Sequence, residues 1–342
     1  MARVAQRNTG FWAWGLGYGV WGVGHGGAAQ SLAVLIEERA MTEPLLNLAT
    51  RAGREQMAAK ILALGVDITP PMIMGTVGLY GPHHAQTSTD GVRIVRDLQY
   101  GPDARHRLDI FAPQGVSAAR LPVLMYVHGG GFVGGDKKNP GSPFYDNVGL
   151  WAVKHGCVGV TMTYRLAPAN KWPAGADDVA AATRYLREHI GEYGGDMDRL
   201  YLMGQSAGAT HVGSYLARTH SSKSTGWRPA GAVLASGMFD THTMDKNSHF
   251  EAYFGADPAL YADRPFLADL AGTATPLLAV IGEYEPLDFL RQHVLLQEAY
   301  LKRHGRLPYV MTLVGHNHLS TVQHLGTADE SLSTALTNFM KL

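Results

Sequence analysis

The sequence around Ser206 has the residue types of a nucleophilic turn. It reads Gly-Gln-Ser-Ala-Gly over 204–208, after four apolar residues and before a run of small residues that favours a helix. This pattern predicts a buried strand, a tight turn and a helix, with the Ser206 hydroxyl exposed above the sheet. Glycine is required at both flanking positions because a side chain there would collide with the neighbouring strand or helix. The alternative is a glycine-rich turn whose serine has no catalytic role, since a motif this short can also occur by chance.

A second motif follows the apolar run 121–127 and reads His-Gly-Gly-Gly-Phe over 128–132. Residues without side chains let backbone N–H groups point into a site at the end of a strand. The N–H groups of Gly130 and Gly131, with that of Ala207, would form an oxyanion hole for a tetrahedral intermediate. The alternative is a phosphate-binding loop, which is disfavoured because no P-loop lysine and no Gly-x-Gly-x-x-Gly pattern follows.

A serine nucleophile also needs a histidine base and a carboxylate that orients the base. Both residue types occur after Ser206, first the acids and then the histidines, each just past a predicted strand. Because chemistry in a parallel sheet gathers at the carboxyl ends of the strands, these groups are expected to converge on the serine. The candidates are Glu283, Glu285 and Asp288 as the carboxylate and His316 and His318 as the base.

The two neighbouring histidines are also a potential metal pair. No third ligand accompanies His316 and His318 at a recognisable spacing, so the sequence predicts no metal site. The single cysteine, Cys157, lies in an apolar run and is predicted to be a small core residue. No cofactor is predicted.

From residue 92 onward, predicted strands and helices alternate. Runs 92–95 and 107–111 read as an antiparallel pair joined by the turn 101–103. The later strands are almost continuously apolar, which indicates a mostly parallel sheet covered by helices on both faces. Besides the run before Ser206, the later predicted strands are 121–127, 158–163, 232–235, 277–281 and 309–314, and predicted helices include 142–155, 177–189 and 332–340.

The N-terminal part of the chain differs from the rest in its pattern of apolar residues. Residues 31–65 carry apolar side chains at helical spacing, with Pro44 placed to open a second helix. Two prolines at 70–71 interrupt this pattern, and 66–90 reads as irregular. The helices are expected to form a lid over the site. The predicted domains are an apolar arm with a helical cap over 1–90 and a catalytic domain over 91–342.

The run 10–36 has no Asp, Glu, Lys or Arg and is rich in glycine and aromatic residues. Three interpretations compete: a cleaved export signal, a membrane-inserted or interfacial segment, and an ordered arm packed on its own domain or on a second subunit. A retained arm or membrane-contacting segment is favoured. A cytoplasmic location is favoured because a single cysteine forms no internal disulfide, while membrane association and export stay open.

The charge balance of the chain bears on the class of partner that is expected. The 342 residues carry 29 basic and 29 acidic side chains, and this zero net charge does not indicate a nucleic-acid partner. The length suits one large domain or two small ones, and a hydrophobic content of 46% supports a sizeable core.

Several motifs taken together carry a family resemblance. They are His-Gly-Gly-Gly-Phe at 128–132, Tyr-Arg-Leu-Ala-Pro at 164–168, Trp-Pro-Ala at 172–174 with Asp178, Tyr-Gly-Gly-Asp at 193–196 and Gly-Gln-Ser-Ala-Gly at 204–208. The chain resembles the hormone-sensitive-lipase-like branch of the α/β-hydrolase superfamily, close to small bacterial esterases and arylformamidase-like hydrolases. The resemblance covers about residues 92–342.

The resemblance implies an α/β-hydrolase fold and the chemistry of a serine esterase. Ser206 is then the nucleophile, and Gly130, Gly131 and Ala207 donate to the oxyanion. The expected substrate is a carboxylic ester with a short or medium acyl chain, cleaved through an acyl-enzyme without a cofactor. One alternative is an amidase or formamidase with the same residues, and a less favoured one is a non-catalytic ligand-binding protein on the same scaffold.

The resemblance also selects the acid and the base. Family members usually have Asp-Pro-Leu where this chain has Glu-Pro-Leu at 285–287, so Glu285 is the expected acid, with Asp288 as the alternative. The family spacing Gly-x-x-His selects His318 over His316 as the base.

Two further features concern the surroundings of the site. The cap insertion usual between the sixth and seventh strands is short here, so residues 240–275 and the N-terminal helices are expected to shape the acyl pocket. Membrane-anchored plant isoprenylcysteine methylesterases are similar around residues 193–208, which keeps a membrane role open for the run 10–36.

Overall fold

One eight-stranded sheet organises the chain. The structure is a computed structural model that describes residues 44–85, 87–115, 120–221, 227–259 and 266–342. The strands are β1 Val92–Gln99, β2 Arg107–Pro113, β3 Leu121–Val127, β4 Val158–Met162, β5 Gly195–Gln205, β6 Gly231–Ala235, β7 Leu277–Tyr284 and β8 Tyr309–Asn317. Their order across the sheet is β1-β2-β4-β3-β5-β6-β7-β8.

The strand directions follow the pattern of the sequence. β2 is antiparallel to both of its neighbours, β1 and β4, and all the other neighbouring strands are parallel. The predicted antiparallel start and mostly parallel remainder are therefore confirmed. Because β3 to β8 run the same way, their carboxyl ends share one edge of the sheet, where ligands bind in open α/β folds.

Helices cover both faces of the sheet and enclose two hydrophobic clusters. Val123 and Met125 of β3 belong to one cluster, while Leu124 and Tyr126 belong to the other, as the two-residue period of a strand requires. The helices are α1 Arg51–Leu62, α2 Pro70–His84, α3 Asp146–Lys154, α4 Ala174–His189, α5 Ala207–Ser221, α6 Ser248–Phe254, α7 Leu267–Gly272, α8 Leu287–His304, α9 Ser320–Gln323 and α10 Ser331–Met340.

Helix α2 corrects the sequence prediction, which gave 66–90 as irregular. It begins at Pro70, because prolines are well suited to the first turn, where N–H groups have no helical partner. The Thr69 side chain caps this end by accepting a hydrogen bond from the Met72 N–H at 3.3 Å. The two prolines therefore open a helix instead of ending the helical pattern.

The start of α1 is a second correction. Pro44 opens no helix, and α1 begins at Arg51, where the Thr50 side chain accepts a hydrogen bond from the Gly53 N–H at 3.1 Å. Residues 31–43 of the predicted helical stretch and the run 10–36 lie outside the described residues.

The two N-terminal helices pack beside β8. A Cβ at Gly315 of β8 would lie 2.7 Å from the Cβ of Ala58 in α1, and the Asn317 amide donates to Thr76 of α2 at 2.8 Å. Both helices belong to the same compact unit as the sheet. The division of the chain at residue 90 and the lid stay predictions. None of the described helices is long and apolar enough to cross a membrane.

Candidate active site

The turn between β5 and α5 consists of Ser206. Its φ is +55°, in the left-handed region, and its N–H donates to the Ala235 oxygen at 2.9 Å. A Cβ at Gly204 would lie 2.4 Å from the Gly208 oxygen, and a Cβ at Gly208 would lie 2.1 Å from the Val127 oxygen. The predicted need for glycine is confirmed, because backbone atoms cannot make room. Holding serine in this conformation costs on the order of 1 kcal/mol, which the surrounding fold sustains.

The glycine loop 128–132 lies against this turn. A Cβ at Gly129 would stand 3.1 Å from the Ser206 Cβ. Gly130 and Gly131 both have positive φ values, +131° and +59°. Among the described residues, no group accepts a hydrogen bond from the N–H of Gly130 or Gly131. These two donors are therefore available to an anionic oxygen beside the serine.

Glu285 and His318 form a buried pair at the ends of β7 and β8. Nδ1 of His318 lies 2.7 Å from Oε2 of Glu285, and each residue is 3% exposed. The Ser236 hydroxyl donates to the other carboxylate oxygen, Oε1, which also lies 3.4 Å from the Gly282 nitrogen. A carboxylate that accepts the Nδ1–H fixes the imidazole tautomer and leaves Nε2 able to take a proton.

The other two candidate carboxylates have partners of their own. Asp288 accepts hydrogen bonds from the Arg291 guanidinium and, at 2.9 Å, from the Asp245 N–H. Glu283 accepts the Gly315 N–H at 2.8 Å. Neither side chain forms a hydrogen bond or ion pair with a histidine among the described residues.

The two candidate histidines face different surroundings. His318 meets Glu285, whereas Nε2 of His316 lies 3.3 Å from Oδ2 of Asp329 and Nδ1 lies 3.1 Å from Oγ of Ser320. The structure thus separates the two side chains that the sequence considered as a metal pair.

Gln205 connects the segments of the site. Its amide nitrogen donates to the backbone oxygen of His318 at 2.9 Å. Its amide oxygen would lie 2.4 Å from a Cβ at Gly129. One buried side chain therefore contacts both the glycine loop and the loop of the histidine, while it directly precedes Ser206 in the chain.

An aromatic pair borders the glycine loop. The rings of Phe132 and Tyr253 stack with centroids 4.6 Å apart and an angle of 4° between their planes. Tyr253 belongs to α6, within the segment 240–275 that the sequence expects to shape the acyl pocket. From the same helix, His249 would stand 3.2 Å from a Cβ at Gly131. The segment borders the site, and its role in substrate binding stays a prediction.

The part of the chain that holds Ser206 and Glu285 matches a known family. A family model described as the alpha/beta hydrolase fold aligns with residues 124–288. The chain has the α/β-hydrolase fold. Its eight-stranded sheet, with one antiparallel strand near its start and helices on both faces, agrees with that fold.

The chain has curated relatives that are longer than itself. It is 29% identical over 290 residues to the probable carboxylic ester hydrolase LipM of Mycobacterium tuberculosis, an alignment that covers 72% of the chain and 66% of that protein. It is 34% identical over 116 residues to the probable isoprenylcysteine alpha-carbonyl methylesterase ICMEL1 of Arabidopsis thaliana, over 34% of the chain and 23% of that protein. The matched length is thus two thirds or less of these relatives.

Solved structures share the fold of this chain. Esterase B from Lactobacillus rhamnosis superposes with a TM-score of 0.63 at 20% identity, covering 84% of the chain and 95% of that structure. A hyperthermophilic esterase from Pyrobaculum calidifontis superposes with a TM-score of 0.59 at 19% identity, covering 91% and 97%. At these identities the likeness is one of fold.

Two residues of the candidate site were not predicted from the sequence. Gln205 lies inside the serine motif, but the sequence assigned no role to its side chain. Ser236 directly follows β6, and its φ of +50° places it in a sharp turn like that of Ser206. The available signal was its position, because a polar residue at the carboxyl end of an apolar strand lies at the same sheet edge as the nucleophile.

Proposed function

We propose that this α/β-hydrolase is a serine carboxylic ester hydrolase in which Ser206 is the nucleophile, His318 the base and Glu285 the acid. The observation that supports this most is the buried Glu285–His318 pair, with its 2.7 Å contact, at the sheet edge where Ser206 turns. The names of the relatives, probable carboxylic ester hydrolase and esterase, agree with it.

In the first step, the Ser206 oxygen attacks the ester carbonyl carbon while Nε2 of His318 takes its proton. Glu285 stabilises the imidazolium through the hydrogen bond to Nδ1 and stays ionised. The protonated imidazole then donates to the leaving alcohol, and the acyl-enzyme remains. Water attacks this ester with the same histidine as base and releases the carboxylic acid.

The negative oxygen of each tetrahedral intermediate is bound by backbone N–H groups. The proposed donors are Gly130, Gly131 and Ala207, of which the last begins α5. A helix N-terminus adds a partial positive charge at this position. Each such donor contributes about 3 kcal/mol to transition-state stabilisation in comparable sites.

We expect short or medium acyl chains to be preferred. The segment that connects β6 to β7 is short for a cap, and part of it packs against the glycine loop through Tyr253 and Phe132. Aromatic side chains that fill this side of the loop leave less room for a long chain.

The test is hydrolysis of p-nitrophenyl esters from acetate to palmitate by the wild-type chain and three variants. Ser206→Ala is expected to lose at least about four orders of magnitude in kcat, and Glu285→Gln at least about three, because the imidazole loses its orienting carboxylate. Asp288→Asn is the matched control, an acid of the same segment that is bound to Arg291. We expect its rate to stay near that of the wild type.

Two outcomes would contradict this assignment. If Asp288→Asn were the damaging change and Glu285→Gln were mild, the acid would be Asp288. If the wild-type chain cleaved none of the esters, formamides and amides would be tested next, and inactivity toward all three classes would favour a binding protein.

A further inference from the structure

A second group of ionisable side chains lies next to the site without taking part in the proposed chemistry. It consists of His316 in β8, His324 just after α9 and Asp329 in the turn before α10. One nitrogen or oxygen atom of each residue lies within 4.8 Å of those of the other two. All three side chains are buried, and the imidazole centroids are 4.2 Å apart.

Ser320 holds both imidazoles by their Nδ1 atoms. Nδ1 of His316 lies 3.1 Å from the Ser320 hydroxyl, and Nδ1 of His324 lies 2.6 Å from the Ser320 backbone oxygen. Histidines that bind metals almost always use the other ring nitrogen in this way, which fixes the ring and its tautomer. In this arrangement each Nε2 is left to act as a lone-pair donor.

The distances suit a small tetrahedral ion. Nε2 of His316 stands 3.3 Å from Oδ2 of Asp329. Two ligands of a tetrahedral zinc ion with bonds of about 2.0–2.1 Å are about 3.3 Å apart. Nε2 of His324 lies 3.3 Å from the Ser331 hydroxyl, which is a neutral group. A bound ion would replace this contact.

We propose that His316, His324 and Asp329 bind one Zn²⁺ ion and join the end of β8 to the turn before α10. Two imidazoles and a carboxylate are a ligand set that zinc favours. A water molecule would complete the coordination, and Ala328 and Glu330, both exposed, leave the turn open to solvent. The spacing in the sequence pairs His316 with His318, whereas the turn at 324–329 brings His324 and Asp329 to His316 in the structure.

Metal binding to the full-length chain tests this proposal directly. After treatment with a chelator, the wild-type chain should bind one Co²⁺ per molecule, with the visible absorption of a tetrahedral ion, and Zn²⁺ should displace it. Zn²⁺ should also raise the melting temperature. Asp329→Asn and His324→Gln each remove one ligand and should weaken binding by at least about tenfold.

Two control variants separate this site from other effects. His189→Gln alters a partly exposed histidine whose Nδ1 lies 3.2 Å from Glu192, and it should bind the metal as the wild type does. Ser206→Ala should also bind normally, so the result is independent of the proposed esterase activity.

The wild-type measurement alone can overturn the proposal, whether or not the ligand variants fold. Absence of saturable Co²⁺ or Zn²⁺ binding by the wild-type chain would exclude the site. Binding that survives both ligand substitutions but is lost in His189→Gln would place the ion on the surface instead.

Discussion

Ser236 holds one oxygen of Glu285 while His318 contacts the other, so the carboxylate has a partner on each side. A hydroxyl bonded to an ionised group contributes about 1.5–3 kcal/mol when both are buried. The same hydrogen bond fixes the orientation of the Glu285 carboxylate toward the imidazole. Ser236 is therefore expected to act as a positioning residue for the base.

Ser236→Ala and Ser236→Gly are both expected to lower kcat about tenfold with little change in KM, because only the orientation of the acid is lost. The residue has a φ of +50°, which glycine adopts more readily than alanine. Steady-state kinetics and melting curves separate the two effects. Equal kcat values with a more stable glycine variant would support the role of the hydroxyl, whereas a glycine variant with wild-type kcat would refute it.

At the scale of single elements, α2 carries a glycine that its helix does not require. Gly78 is exposed within Pro70–His84, and a Cβ there would meet no atom within 4 Å. Gly78→Ala should therefore raise the free energy of unfolding by up to about 1 kcal/mol, since alanine loses less backbone entropy in a helix. Urea denaturation measures this difference.

Gly65→Ala is the matched control for that substitution. It also adds a Cβ in open space, but its φ of +85° is strained for alanine, so it should destabilise the fold. If both variants changed stability in the same direction, the helical assignment of residues 70–84 would be wrong.

An ion pair connects β1 to α3. Arg96 of β1 binds both oxygens of Asp146 in α3, at 2.6 and 2.7 Å. Burial alone would raise the pKa of Asp146, but the hydrogen bonds from Arg96 and Lys138 outweigh it and hold the pKa below its ordinary value of 3.8. The charged carboxylate therefore stabilises the folded state.

Asp146→Asn is expected to lower the free energy of unfolding by about 1–3 kcal/mol at pH 7. The contribution of the carboxylate is present above its unfolded pKa and is lost as the pH falls through the lower folded pKa. The difference between wild type and variant should thus shrink below about pH 4. Chemical denaturation across this range tests it, with the exposed Asp198→Asn as a control that shows no such convergence.

At the scale of the whole molecule, much of the fold could be predicted. Alternation of apolar strands and helices gives a parallel sheet, and a parallel sheet brings the residues after its strands to one edge. This rule needs only the chain order, and it gave Ser206 together with the candidate acids and histidines. The family resemblance then selected Glu285 and His318 among them. The need for glycine around the serine followed from the sharpness of the turn.

Other features depend on contacts that sequence order does not reveal. Proline breaks a helix when it lies in the interior but favours the helix when it lies in the first turn, so the effect of the prolines at 70–71 depends on where the helix begins. The cap at Thr69 places that start directly before them. The partners of His316 come from a turn eight to thirteen residues later, with no recognisable metal spacing. Ser236 contacts Glu285 across two neighbouring strands, so only the register of the sheet identifies it.

The run 10–36 stays a proposed contact with a membrane or with a second copy of the chain. The compact unit that contains the site begins at residue 43, so a chain that lacks residues 1–42 should fold and keep its ester hydrolysis. We expect this deletion to reduce binding to lipid vesicles or to lower the mass measured by light scattering. If neither property changed, both interpretations of the run would be refuted.

The hydrogen bond from Gln205 to the His318 backbone has a consequence for how the molecule unfolds on heating. Proteins unfold locally in cooperative units, and an active site that consists only of loops can unfold at a lower temperature than the core. Here Ser206 directly follows β5 and His318 directly follows β8, and the buried Gln205 amide joins the two segments through one hydrogen bond. The site has little freedom to open as a separate unit. Catalysis and sheet structure are therefore expected to disappear in one transition, and backbone amides around the serine should exchange with solvent as slowly as those of the central strands.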